Sequence, residues 1–174
     1  MTEKQLEGTP ATTPPPVTLP EDFKQKVKFA PPTDEDMTAL AQLRAGTDPW
    51  KSRGESEAES LEALTKLRPF LSVAKLNNTS VGYITIERDG PVPGAAYLRN
   101  IVVKQELRQK GLGALVLEQG LAMAREMNRK TLALRVDPAN APAVAFYRKN
   151  GFTTVATVVS KKSGKLRLLM SREL

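Results

Sequence analysis

The chain has 174 residues, enough for one domain with a proper core, and 40% of them are hydrophobic, within the globular range. It contains no cysteine and no histidine. That removes disulfides, a thiol nucleophile, thiolate and imidazole metal sites and the usual general base, so any proton must pass through carboxylate, tyrosine, lysine or water, and it points to the cytoplasm. The net charge of +7 calls for an anionic partner, yet aromatics are 5% and no basic block is interleaved with them, which disfavours nucleic acid. No apolar run can span a bilayer and no secretory apolar segment follows Met1, so no membrane partner is expected.

Residues 1–26 read as a tail. Pro10, Pro14, Pro15, Pro16 and Pro20 alternate with Thr, Glu and Lys without an apolar period, which predicts disorder or polyproline-like extension. The domain proper is 27–174. A short strand at 27–30 is stopped by Pro31 and Pro32. Thr33 or Asp34 then caps a helix whose first turn is acidic (Asp34, Glu35, Asp36), whose apolar residues are Met37, Leu40, Ala41 and Leu43, and which Gly46 ends. After a loop holding Asp48, Pro49 and Trp50, a second helix presents Ala58, Leu61, Leu64 and Leu67, and Pro69 closes it. Strands at 70–76 and 81–87 form a hairpin over Asn77 and Asn78, which tolerate positive φ. A wider loop through Gly90 and Gly94 leads to a strand at 95–103.

That strand runs into Arg108, Gln109, Lys110, Gly111, Leu112 and Gly113, after which the apolar residues take helical spacing: Leu112, Leu115, Val116, Leu121, Met123 and Met127. A helix N-terminus with bare N–H groups, two glycines that let oxyanions approach and two flanking cations make a phosphate cradle. It is not a Walker A loop, because Ala114 and Leu115 follow Gly113 where Lys and Ser or Thr are needed. Nor is it a dinucleotide fingerprint: position 116 is Val116 and not glycine, and Leu132 to Arg135 stand where an acid is required. Further on, 132–136 alternates as a half-polar strand, Pro142 suits the first turn of a short helix at 143–149, and 153–159 with 166–170 reads as a final hairpin.

Two motifs now stand in order. Arg108 to Gly113 is R-x-x-G-x-G, and Asn140, Ala143, Phe146, Tyr147, Gly151 and Phe152 form N-x-x-A-x-x-F-Y-x-x-x-G-F. Together they resemble the two cofactor motifs of the GCN5-related N-acetyltransferases, the GNAT superfamily, and the resemblance covers about residues 27–174. It implies an α/β (α+β) GNAT fold: a mixed, mostly antiparallel central sheet with a splayed V between two parallel strands, here 95–103 and 131–137, and helices on both faces. It implies acetyl-CoA as acyl donor, no metal, an amine-bearing acceptor (a small molecule or a peptide), and direct transfer in a ternary complex by a monomer or homodimer.

By the same resemblance, Arg108, Gln109, Lys110, Gly111, Leu112, Gly113 and Ala114 hold the cofactor's diphosphate. Backbone groups of Ile101, Val102 and Val103 hold the pantetheine arm, with the N–H of Val102 or a neighbour on the acetyl carbonyl. Asn140 and Phe146 border the cofactor, the alternative for Asn140 being a turn residue. Tyr147 is the general acid: thiol and phenol differ by only about 1.5 pKa units. Its alternative role is packing beside Phe146 and Phe152. Relatives that acetylate protein N-termini often carry a glutamate where this chain has Arg135. The remaining base candidates, each acting through water or else simply ion-paired, are Asp137 on the same face and Glu87. Acceptor choice falls to the loops 46–55 and 160–165. In the first, Asp48, Trp50 and Glu55 favour a cationic amine; in the second, Lys161, Lys162 and Lys165 favour an acidic one, so the acceptor stays open. A non-catalytic acyl-CoA-binding scaffold is the rival function.

Overall fold

The computed structural model describes residues 22–174; the proline-rich stretch noted above lies outside them. The element order is α1 (Phe23–Lys26), β1 (Val27–Ala30), α2 (Asp34–Ala45), α3 (Glu57–Leu67), β2 (Leu71–Leu76), β3 (Thr79–Glu87), β4 (Ala96–Val103), α4 (Leu112–Glu126), β5 (Thr131–Val136), α5 (Ala141–Lys149), β6 (Thr153–Val159) and β7 (Leu166–Glu173). The seven strands form one sheet in the order β1-β2-β3-β4-β5-β7-β6. Every neighbouring pair is antiparallel except β4 and β5, which are parallel. The expected mixed sheet with helices on both faces is therefore present. Among the described residues no helix is long and apolar enough to cross a membrane.

Two cores follow from the two faces. One gathers α4 and α5 against the sheet through Val116, Leu117, Leu121, Val144 and Phe152. The other sets Met37, Leu40 and Ala41 of α2 and Leu64 of α3 against Val73, Tyr83 and Val102. Phe23, counted above with the tail, belongs to the first core: it is 7% exposed, and one helical turn carries it directly into β1. A single large apolar side chain is enough to pin that turn, although no periodicity announces it.

Helix starts follow their side chains. Thr33 caps α2 and Ser56 caps α3, each in a reciprocal capping box, with Asp36 and Glu59 respectively. The apolar face of α3 differs from the one expected. Ser60 and Leu64 are its buried residues, while Leu61 is exposed. Steps of three rotate by about 300°, so the series Ala58, Leu61, Leu64, Leu67 winds off the buried stripe, which needs steps of three and four together. Asn77 and Asn78 take φ of 50° and 60° and turn the β2–β3 hairpin as expected.

Asp36 does more than cap. Its carboxylate also accepts from Ser80 Oγ at 2.8 Å and meets Lys75 Nζ at 2.8 Å, tying α2 to the hairpin. Burial pushes its pKa up, but Lys75, Thr33 and Ser80 outweigh that and hold it at about 2. A carboxyl depressed in the folded state stabilises above its unfolded pKa of about 4, and that stability is lost as pH falls towards 2. Asp36→Asn is thus expected to cost about 2 kcal/mol at pH 7. Urea midpoints measured against pH check this: the gap between wild type and variant should close as pH drops from about 4 to 2.

Candidate active site

The site begins where β4 and β5 part. Their parallel pairing is Ala96↔Leu132, Tyr97↔Ala133 and Leu98↔Leu134, and it stops there, while β4 runs on beside β3 to Val103 and β5 runs on beside β7. A β-bulge on β4 sits at that point: Ile86 pairs with Leu98 and Thr85 with Asn100, so Arg99 has no partner. The extra residue flips side-chain parity. As a result Ile101 and Val103 face the same core as Ala96 and Leu98, and Val102 faces the other.

The bulge also decides which amides are available. Lys104 N–H donates to Val81 O at 2.9 Å. Antiparallel alternation then makes Tyr83↔Val102 a hydrogen-bonded pair and turns the N–H groups of Ile101 and Val103 away from β3, towards the gap. Of the three backbone positions expected at the gap, Ile101 and Val103 present their amides there. Val102 gives its own to the ladder and buries its side chain, at 2% exposure, behind the site.

Past β4 the chain makes one 3-10 turn and enters α4 through a glycine N-cap, Gly111, at φ 88°. Gln109 is also left-handed, at φ 61°. Side chains cap α2, α3 and α5, but among the described residues none caps α4. The first intrahelical bond is Leu115 N–H to Gly111 O at 3.2 Å, which leaves the amides of Leu112, Gly113 and Ala114 at the open end. Arg108 is tied to the strand end, donating from Nε to Val103 O at 3.2 Å. Its charge reaches Asp48 across the α2–α3 loop. The Asp48 carboxyl is held low, first by the hydroxyl of Ser52 and more weakly by Lys51 and Arg108. The expected cradle is thus an uncapped positive helix end with a fixed cation beside it, a ready anion site.

α5 closes the other side. Asn140 Oδ1 accepts from Ala143 N–H at 3.3 Å, so it caps the helix, and its amide NH2 is the part left for a ligand. Phe146 leans on the cradle: a Cβ on Gly113 would stand 3.3 Å from its ring. Tyr147 is wedged between Phe146 and Phe152, edge to face, with centroids 5.4 and 5.7 Å away. It is 8% exposed, and its hydroxyl makes no hydrogen bond to a described residue. Burial, and secondarily the nearby Tyr97, push the phenol above its ordinary range. The near balance with a thiol expected above therefore does not describe this phenol in isolation. A thiolate leaving into the same dry site is raised too, so the gap between the two, not either value, governs transfer.

Tyr97 is the site residue that sequence reasoning missed. It lies on the middle rung of the parallel pair, beside Glu87 across the ladder, and it interacts electrostatically with Tyr147 and Arg135. Burial raises its phenol as well. A tyrosine next to a strand's paired end carries no periodic signal.

Both candidate bases are engaged. Glu87 meets Arg99 Nε at 2.6 Å, and Asp137 accepts from Ala139 N–H at 2.9 Å and meets Arg167 at 3.4 Å. The cation-gripping loop expected at 46–55 is also spent on its own chain. Arg44 lies over Trp50 at 4.3 Å and donates to Glu55 at 2.6 Å, and Asp48 takes Ser52. The last turn of α2 delivers Arg44 to Trp50 and Glu55, so the Glu55 charge is paired, while exposed Asp48 takes only neutral donors from Ser52 and keeps its negative charge. Arg44 Nη1 and the Tyr83 hydroxyl are buried and make no hydrogen bond of good geometry to another described residue, and burial pushes the Tyr83 phenol up to about 12 against the lowering effect of Arg44.

Comparison with known proteins agrees with this fold. A protein of Bacillus subtilis (strain 168), provisionally named a [ribosomal protein bS18]-alanine N-acetyltransferase, is 31% identical over 85 residues, which is 44% of this chain; the match spans 56% of that relative's length. The Ard1 crystal structure from Thermoplasma volcanium superposes with a TM-score of 0.69 at 22% identity, covering 86% of this chain and 98% of that one. Naa50 of Arabidopsis thaliana, in complex with the bisubstrate analogue CoA-Ac-MVNAL, gives 0.63 at 23% identity, covering 86% and 99%. The sequence pattern of the Acetyltransferase (GNAT) family matches residues 37–152, from α2 through both cofactor motifs, and the chain belongs to that family.

Proposed function

We propose that this protein moves an acetyl group from acetyl-CoA to a primary amine of a peptide or small molecule, directly within one ternary complex. The observation that carries the reading is a pair of amide sets without partners among the described residues, joined by one short turn: Ile101 and Val103 in the gap beyond Leu98, and Leu112, Gly113 and Ala114 at the start of α4. The second set, with Arg108 and Lys110, suits a diphosphate, and the first suits an extended amide arm ending in a thioester. Acetyl-CoA, as cosubstrate, supplies the activated acyl group.

The chain's own residues then have defined work. The outward amides of Ile101 and Val103 orient the arm and are aimed where carbonyl oxygen charge develops. The Tyr147 hydroxyl, held by two aromatic neighbours, gives its proton to the departing sulfur. With no nucleophilic cysteine the amine attacks directly. Its proton leaves through water towards Glu87, which faces Tyr97 in register on the acceptor side, or towards Asp137. One relative is provisionally named an alanine N-acetyltransferase of ribosomal protein bS18, and Naa50 is bound to the bisubstrate analogue CoA-Ac-MVNAL; both support an amine on a polypeptide.

The second reading, a binding module without turnover, is favoured by one observation: Glu87 and Asp137 are both ion-paired, and Arg135 occupies the place of a glutamate. A thiol-release assay with acetyl-CoA over a panel of N-terminal peptides and small amines separates the two. Amine-dependent thiol release supports catalysis, whereas tight binding with no release on any amine supports the module.

A further inference from the structure

We infer that Lys24, on the helical turn before β1, is a ligand of the diphosphate held at the α4 cradle. The inference rests on the coenzyme A reading above and extends it to a residue outside both cofactor motifs and outside the matched region 37–152. The Lys24 side chain crosses directly over Gly111. A Cβ built on that glycine would stand 3.0 Å from Lys24 Cε and 3.2 Å from its Nζ. The ammonium is therefore placed at the lip of the turn whose amides are open.

Placement of a cation there is unfavourable on its own. The N-terminus of a helix carries partial positive charge, and a lysine beside it, with Arg108 in the same turn, adds repulsion. No carboxylate among the described residues compensates Lys24; the acid near it in sequence, Asp22, pairs with Lys26 at 3.1 Å. An anion bound at the open amides turns that repulsion into attraction. The anchor is built in. Phe23, the preceding residue, is 7% exposed in the main core, and Val27 beyond it is equally buried, so the turn is pinned on both sides of Lys24. Gly111 thereby has two reasons to lack a side chain: its left-handed φ of 88°, and the lysine that lies across it.

Isothermal titration of the full chain tests this, using coenzyme A, dephospho-coenzyme A (diphosphate kept, ribose phosphate absent) and pantetheine (no phosphate). For Lys24→Met the Kd is expected to rise about 5- to 20-fold for both phosphate-bearing ligands and to stay unchanged for pantetheine. The salt dependence of binding should become shallower, Lys24→Arg should restore most of the affinity, and Tm should not move. Wild-type binding with Lys24→Met equal to or tighter than wild type would overturn the inference, the tighter case marking Lys24 as a plug. A loss for coenzyme A but not for dephospho-coenzyme A would overturn the diphosphate assignment. Failure of the wild type itself to bind coenzyme A would instead bring down the underlying reading, and this inference with it.

Discussion

Tyr147→Phe is expected to lower kcat by about 10²-fold or more while the Kd for acetyl-CoA changes less than about twofold. The phenylalanine keeps both edge-to-face contacts, with Phe146 and Phe152, so packing and Tm should hold. Only the proton goes. The pH profile gives a second check. Burial raises the phenol above its ordinary value of about 10, so the acid stays protonated through the neutral and mildly alkaline range. No alkaline limb from this group is expected below about pH 10, and any lower limb belongs to the acceptor amine or the base. A large loss of acetyl-CoA affinity in the variant would show that the hydroxyl holds the cofactor and does not serve as the acid.

Gly111→Val should have the larger effect on binding. At φ 88° a β-branched residue is strained by about 1–3 kcal/mol, and its side chain would also enter the space crossed by Lys24. Coenzyme A affinity is expected to fall at least about 100-fold with a Tm loss of a few degrees, because Gly111 itself belongs to neither core and the substitution leaves the neighbouring core side chains Leu107 and Leu112 in place. Gly113→Val reaches a similar end by another path, since a Cβ there meets the Phe146 ring at 3.3 Å and displaces the aromatic that supports Tyr147. Unaltered binding in both variants would refute the cradle.

What the residues disclose in advance is local. Glycines beside cations at a strand-to-helix junction, and an aromatic pair that begins six residues past a cap, are local signals, and they survive into the structure as the α4 entry and α5. The parallel pair and the place where its two strands part follow from the family resemblance that those motifs carry. The bulge at Arg99 does not. It arises from how β3 and β4 fit, and it alone decides that Ile101 and Val103, and not Val102, offer their amides. The pairing of Arg44 with Trp50 and Glu55 likewise needs the α2–α3 loop to close, which no spacing reveals. Phe23 and Lys24 sit beside a proline-rich stretch, where composition drowns out two informative side chains. The misjudged face of α3 has a simpler cause, since a run of leucines three apart mimics a stripe without being one.

Backbone amide exchange across residues 101–115, measured with and without coenzyme A, tests the central claim most directly. Binding at the uncapped helix end should slow exchange at Leu112, Gly113 and Ala114, and, along the arm, at Ile101 and Val103, while Val102, already bonded to β3, stays as it was. Equal exchange rates with and without saturating coenzyme A at those five amides would contradict the account.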